Sequence, residues 1–199
     1  MYRSAKTALL ALTAIILASP ALAHTGHDVA FALRDGLLHP LHGLDHLLAM
    51  VAVGLLAWQM GGAARWMLPV TFVAVMAVGA MMAANGVAIS GAELAIVASV
   101  VFLGVAIAVQ ARAPLTLSAA GVGAFAFMHG YAHGAEIPAA AGFASYAAGF
   151  VAATSLLHMA GLGVGLVLTR SPFAMRMLGA LIALAEMLQI VLRQEGFET

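Results

Sequence analysis

The chain has 199 residues, 64% of them hydrophobic and only 8% charged, with eight basic and eight acidic residues in formal balance. A mean hydropathy of +1.06 marks an integral membrane protein rather than a soluble domain. There is no cysteine, so disulfides and thiolate metal sites are excluded, and a bound metal must use imidazole, carboxylate, thioether or backbone donors. The single lysine is Lys6, inside the signal expected below, so the mature chain is expected to carry no Walker A loop, and no basic cluster suits nucleic acid.

The N-terminus reads as a cleaved secretory signal over residues 1–23. Arg3 and Lys6 form a basic region, residues 8–18 a short apolar one, and Ala21-Leu22-Ala23 an A-x-A cleavage site. The mature domain, residues 24–199, divides into six apolar segments at about 38–59, 66–87, 94–110, 115–134, 144–168 and 173–192. Turn and helix-stop residues separate them: Gly61-Gly62, Asn85-Gly86, Arg112-Ala113-Pro114, Pro138 and Ser171-Pro172. The expected fold is all-α, a polytopic six-helix transmembrane bundle in the bacterial inner membrane. A cleaved signal puts both termini on the periplasmic side. Arg65, Arg112, Arg170 and Arg176 then fall at inner loops, against only Arg34 and Arg193 in the outer tails, as the positive-inside rule requires.

With that topology the ionisable residues gather at the outer leaflet. The mature terminus opens with His24 and His27, a terminal amine and two imidazoles that suit metal capture. The first span begins in HPLHGLDH. With Pro40 at the first helical position, His39, His42 and His46 share one stripe and Asp45 flanks it. Asn85 closes the second span and Glu93 opens the third. The fourth ends in MHGYAHGAE, where His129 and His133 face one way and Glu136 joins them if the helix continues. Gly130 and Gly134 form a small-xxx-small step that admits a close neighbour.

His158 in the fifth span is deep, roughly 21 Å from its outer start, and Glu186 in the last lies roughly 9 Å below the outer end. His158 fits either a buried histidine bonded to a neighbouring helix or a step on an inward path, and Glu186 suits a pairing with His158 or Gln189. A charge at such depth costs at least about 2.5–3.5 kcal/mol, so these groups are expected to face the bundle interior with partners. Neutral imidazole with carboxylate is a ligand set for a borderline divalent cation: nickel, cobalt, zinc or copper(II). The eleven methionines of the mature chain form no repeated ligand motif and read as packing.

These two motifs resemble the HupE/UreJ family of small bacterial membrane proteins, nickel permeases associated with hydrogenase and urease maturation. The family's H-x5-D-H is matched by His39, Asp45 and His46. Its F-H-G-x-A-H-G-x-E is matched at His129, Gly130, Ala132, His133, Gly134 and Glu136, with Met128 in place of the phenylalanine. His42 falls at an unspecified position of the first motif. The resemblance implies import of Ni2+, with Co2+ or Zn2+ as alternatives, by a transporter rather than an enzyme. It implies a metal site of His39, Asp45, His46, His129, His133 and Glu136, and an indirect link to hydrogenase or urease maturation. Residue chemistry alone implies only a divalent-metal site open to the periplasm. It also fits a rival, an intramembrane zinc hydrolase with Asp45 or Glu136 as general base. A metal sensor ranks last, since no sizeable cytoplasmic domain is expected.

Overall fold

The computed structural model describes residues 26–136 and 142–195, and among them every regular element is a helix. The expected signal, His24 and Pro138 lie outside the described residues. The helices are α1 (Gly26–His42), α2 (Leu44–Met60), α3 (Ala64–Ala84), α4 (Ala92–Ala108), α5 (Leu115–Glu136), α6 (Phe143–Leu168) and α7 (Pro172–Glu195). The five later expected spans correspond to α3 through α7, one helix each.

The first span differs. Residues 26–37, expected in an outer tail, belong to α1, and Pro40 lies inside that helix rather than starting the next. The chain then breaks at Gly43 and turns through 84° into α2. Gly43 takes an extended conformation, φ −102° and ψ 118°, which ends one helix and caps the other. The expected stripe of His39, His42 and His46 on one helix is therefore not formed.

Among the described residues, α3, α6 and the Pro172–Arg193 part of α7 are each long and apolar enough to cross a membrane. Residues Ala30–His42 and Leu44–Met60 meet the same condition only as a bent pair, and α4 is a shorter apolar helix. Turns follow the expected punctuation. Gly61 and Gly62 have positive φ between α2 and α3, and Gly86 does so after α3, where the Asn85 side chain donates to the Met81 carbonyl.

Small residues set the helix spacing. A Cβ on Gly130 would run into the Met76 backbone and one on Gly134 into Ala80, so α5 lies hard against α3, as the small-xxx-small step implies. Gly54 and Gly161 bring α2 onto α6, and Gly104 and Gly179 bring α4 onto α7. The pairings also give direction. Thr71 meets Gly123 and Ala80 meets Gly134, so α3 and α5 run parallel; Val51 meets Gly161 and Trp58 meets Gly165, so α2 and α6 do too. Ala183 lies on Gly104 and Ala108 on Gly179, so α4 and α7 are antiparallel. These are the relative directions that alternating spans require. One end of the bundle thus carries the α1–α2 break, the ends of α3, α5 and α7 and the starts of α4 and α6. The other carries the α2–α3, α4–α5 and α6–α7 connections.

Candidate functional site

The break at Gly43 separates the first motif between two helices. His39 sits in the last turn of α1, while Asp45 and His46 open α2. Asp45 is buried, and its Oδ1 accepts from both the His46 backbone N–H (2.9 Å) and the His46 ring Nδ1 (2.8 Å). Its other oxygen, Oδ2, pairs with Arg193 Nη2 of α7 at 3.2 Å. A Cβ on Gly43 would approach Asp45 Oδ1 to 2.8 Å and His46 Nδ1 to 2.9 Å, so the glycine also makes room for this pair.

The second motif meets the first. His129 and His133 lie one turn apart on α5, both buried. His133 Nδ1 and His39 Nε2 share a hydrogen bond of 2.8 Å. The His46 ring stands 4.2 Å from that of His133 and 5.2 Å from that of His129, centre to centre. Phe150 packs 4.5 Å from His133, and Tyr146 lies 5.8 Å from His39, so α6 supplies an aromatic wall.

Hydrogen bonding fixes two of the tautomers. The Phe125 carbonyl can only accept, so His129 Nδ1 (3.0 Å away) carries the proton and Nε2 keeps a lone pair. The Asp45 carboxylate likewise accepts from His46 Nδ1–H, so in the neutral ring it is Nε2 that keeps the lone pair. Both Nε2 atoms are buried without a hydrogen-bond partner. A carboxylate holding the far nitrogen of an imidazole is the outer-shell arrangement that orients a metal-binding histidine and raises its basicity. As the rings stand, no group of three His, Cys, Asp or Glu side chains among the described residues is arranged to hold a metal ion. The His39–His133 hydrogen bond joins two nitrogens directly, so a cation bound through both rings would replace that bond.

The other candidates divide. His42 is exposed on α1, because the break sends the chain away just after it. Glu93 is exposed in the first turn of α4, and among the described residues no hydrogen bond or ion pair ties it to the rings. Helix α5 does continue to Glu136, but the side chains of Glu136 and His27 lie outside the described residues, as does all of His24. Glu186 is fully buried, within electrostatic reach of Asp45 and His46, and its Oε2 accepts from Gln189 at 3.2 Å rather than from His158.

A family model described as HupE / UreJ protein matches residues 10–188. The chain belongs to the HupE/UreJ family. Protein HupE of Rhizobium leguminosarum bv. viciae is 44% identical over 153 residues, which cover 77% of this chain and 80% of that relative. No solved structure matches. With its apolar helices, this HupE/UreJ chain is a multi-pass membrane protein.

Four site neighbours, among them Phe72 with its ring 5.5 Å from that of His129, are absent from the candidates that this HupE/UreJ sequence offers. Arg193 was assigned to an outer tail, yet it reaches back to Asp45. Phe72 and Phe150 sit inside apolar runs, where nothing distinguishes a ring against a histidine from one against lipid. Gly43 was legible in principle: a glycine between His42 and Leu44 is a helix stop as much as Pro40 is a helix start.

Proposed function

We propose that this chain is a nickel permease of the bacterial inner membrane, which imports the divalent ion for hydrogenase or urease maturation. Residues 1–23 act as a cleaved signal, and residues 24–199 cross the membrane six times, the α1–α2 pair forming the first, bent span. The histidine end of the bundle then faces the periplasm. The family membership supports a transporter rather than an enzyme.

The observation that carries the reading is the meeting of His39 and His133, 94 residues apart in sequence, at 2.8 Å. Around them stand His46 and His129, each with a buried Nε2 that has no hydrogen-bond partner. The ion is collected there by imidazoles, with Asp45, and Glu136 by the family motif, lowering the cost of its charge. No nucleotide is required. A divalent cation moving through an inside-negative potential gains about 4.6 kcal/mol per 100 mV, twice the single-charge value. Cargo must also leave, so the site is suited to moderate affinity. A ring cluster that rearranges to bind has that character, since each binding event first breaks a hydrogen bond.

The zinc-hydrolase alternative is not favoured. Asp45 has both oxygens engaged, one by His46 and one by Arg193, and is poorly placed to take a proton from water. Labelled-nickel uptake in cells tests the permease reading. Uptake is expected to collapse in His46→Ala and in His133→Ala; wild-type uptake in both, at equal protein level, would overturn it.

A further inference from the structure

Beyond the outer cluster, one deeper histidine stands out by what it lacks. His158 on α6 is 1% exposed, and neither ring nitrogen has a hydrogen-bond partner. A neutral imidazole carries one N–H and one lone pair, so both are buried unsatisfied, an arrangement that folding alone disfavours. One turn earlier on the same face, Thr154 is also fully buried, and its Oγ1 likewise has no partner. A histidine kept for packing would spend its proton on a carbonyl, as His129 does on Phe125. His158 does not.

The surroundings are close and apolar. The Phe72 ring of α3 lies 5.1 Å from the His158 ring, and Gly54 of α2 packs so tightly that a Cβ there would meet the His158 carbonyl. Phe72 also lies 5.5 Å from His129. The rings of His39, His133, His46, His129, Phe72 and His158 therefore follow one another from the histidine end into the bundle, with a single phenyl ring dividing the outer imidazoles from the inner one. Protein groups already engage most of the outer set, whereas the inner pair offers an imidazole nitrogen and a hydroxyl oxygen to no protein partner.

We propose that His158 and Thr154 form a second stop for a borderline divalent cation inside the bundle, receiving the ion from the outer cluster past the Phe72 ring. This rests on the permease reading above. Two weak sites in series let an ion bind well enough to enter and still leave. A nitrogen and an oxygen donor suit nickel or cobalt, the rest of the shell being water carried with the ion.

The test uses the full-length protein in proteoliposomes, with nickel flux and equilibrium binding of nickel measured on the same preparations. His158→Gln is expected to keep outer-cluster binding while flux falls by at least about tenfold, the scale on which metal sites respond to losing a supporting group. Wild-type flux in His158→Gln overturns the proposal. If His158→Gln also loses binding, the nearly isosteric Thr154→Val decides: reduced flux with binding retained supports the inner stop, and wild-type flux overturns it. Unchanged flux in His46→Ala and His133→Ala would instead remove the permease reading itself, a result the inner-site variants do not produce.

Discussion

The two ends of the bundle solve opposite problems. At the histidine end, a buried carboxylate and buried or half-buried imidazoles lean on one another and on one exposed arginine: Asp45 on His46 and Arg193, His133 on His39. At the other end, Arg65, Arg112, Arg170 and Arg176 are all exposed, and two of them, Arg65 and Arg176, engage neutral groups. Arg65 lies 3.9 Å over the Trp58 ring, Arg176 donates to the Ala108 carbonyl, and Trp58 Nε1 donates to Thr169 Oγ1 at 2.8 Å. A polar cavity of about 280 Å³ lined by Arg65, Arg112, Gln59 and Thr169 opens there. Buried and mutually dependent groups are expensive to disturb; exposed cations at a membrane face are not. On the permease reading, charge at one end serves orientation in the membrane, while at the other it serves to hold the ion.

That contrast ranks the effects of substitution. Gly130→Val should be the most severe, since the new side chain meets the Met76 backbone and forces α3 from α5. Overpacking of this kind costs about 1–3 kcal/mol or more, read as loss of folded protein in detergent thermal melts. Asp45→Asn comes next. It removes the charge that holds His46 and Arg193, and nickel uptake should fall by about 10–100-fold at unchanged protein level. Gly43→Ala is subtler, because its backbone angles suit alanine. Only the contact with Asp45 and His46 is disturbed, and uptake should fall by about tenfold or less with the melting temperature nearly unmoved. At the other end Trp58→Phe loses one hydrogen bond, about 1 kcal/mol of stability, and should leave nickel binding untouched. A large loss of binding in Trp58→Phe, or none in Asp45→Asn, would erase the distinction between the ends.

Much of this arrangement was legible in the sequence because it rests on local rules. Apolar runs and their Gly, Asn and Pro punctuation gave α3 to α7, and the Gly130–Gly134 step implied a close neighbour for α5 without saying that it would be α3. The two histidine motifs were expected to meet, and they do. The bend was only half legible. HPLHGLDH contains both a proline that can start a helix and a glycine that can end one, and only packing decides between them. The first part of α6 lies along α1, with Gly149 against Leu33, and the later part lies along α2, with Gly161 against Val51. That two-part contact favours the break at Gly43 and moves His42 out of the cluster. Arg193 was missed for a related reason. Its reach to Asp45 depends on how α7 packs, which no periodicity in α7 itself specifies.

The central claim is that imidazoles from the α1–α2 break and from α5 bind one cation together. X-ray absorption at the nickel edge of metal-loaded, purified protein tests it most directly. Imidazole scattering should be present in the wild type and should drop in His133→Ala and in His46→Ala alike, since each removes a ring from the same ion. Nickel surrounded only by oxygen donors, or an imidazole signal unchanged in both variants, would contradict it.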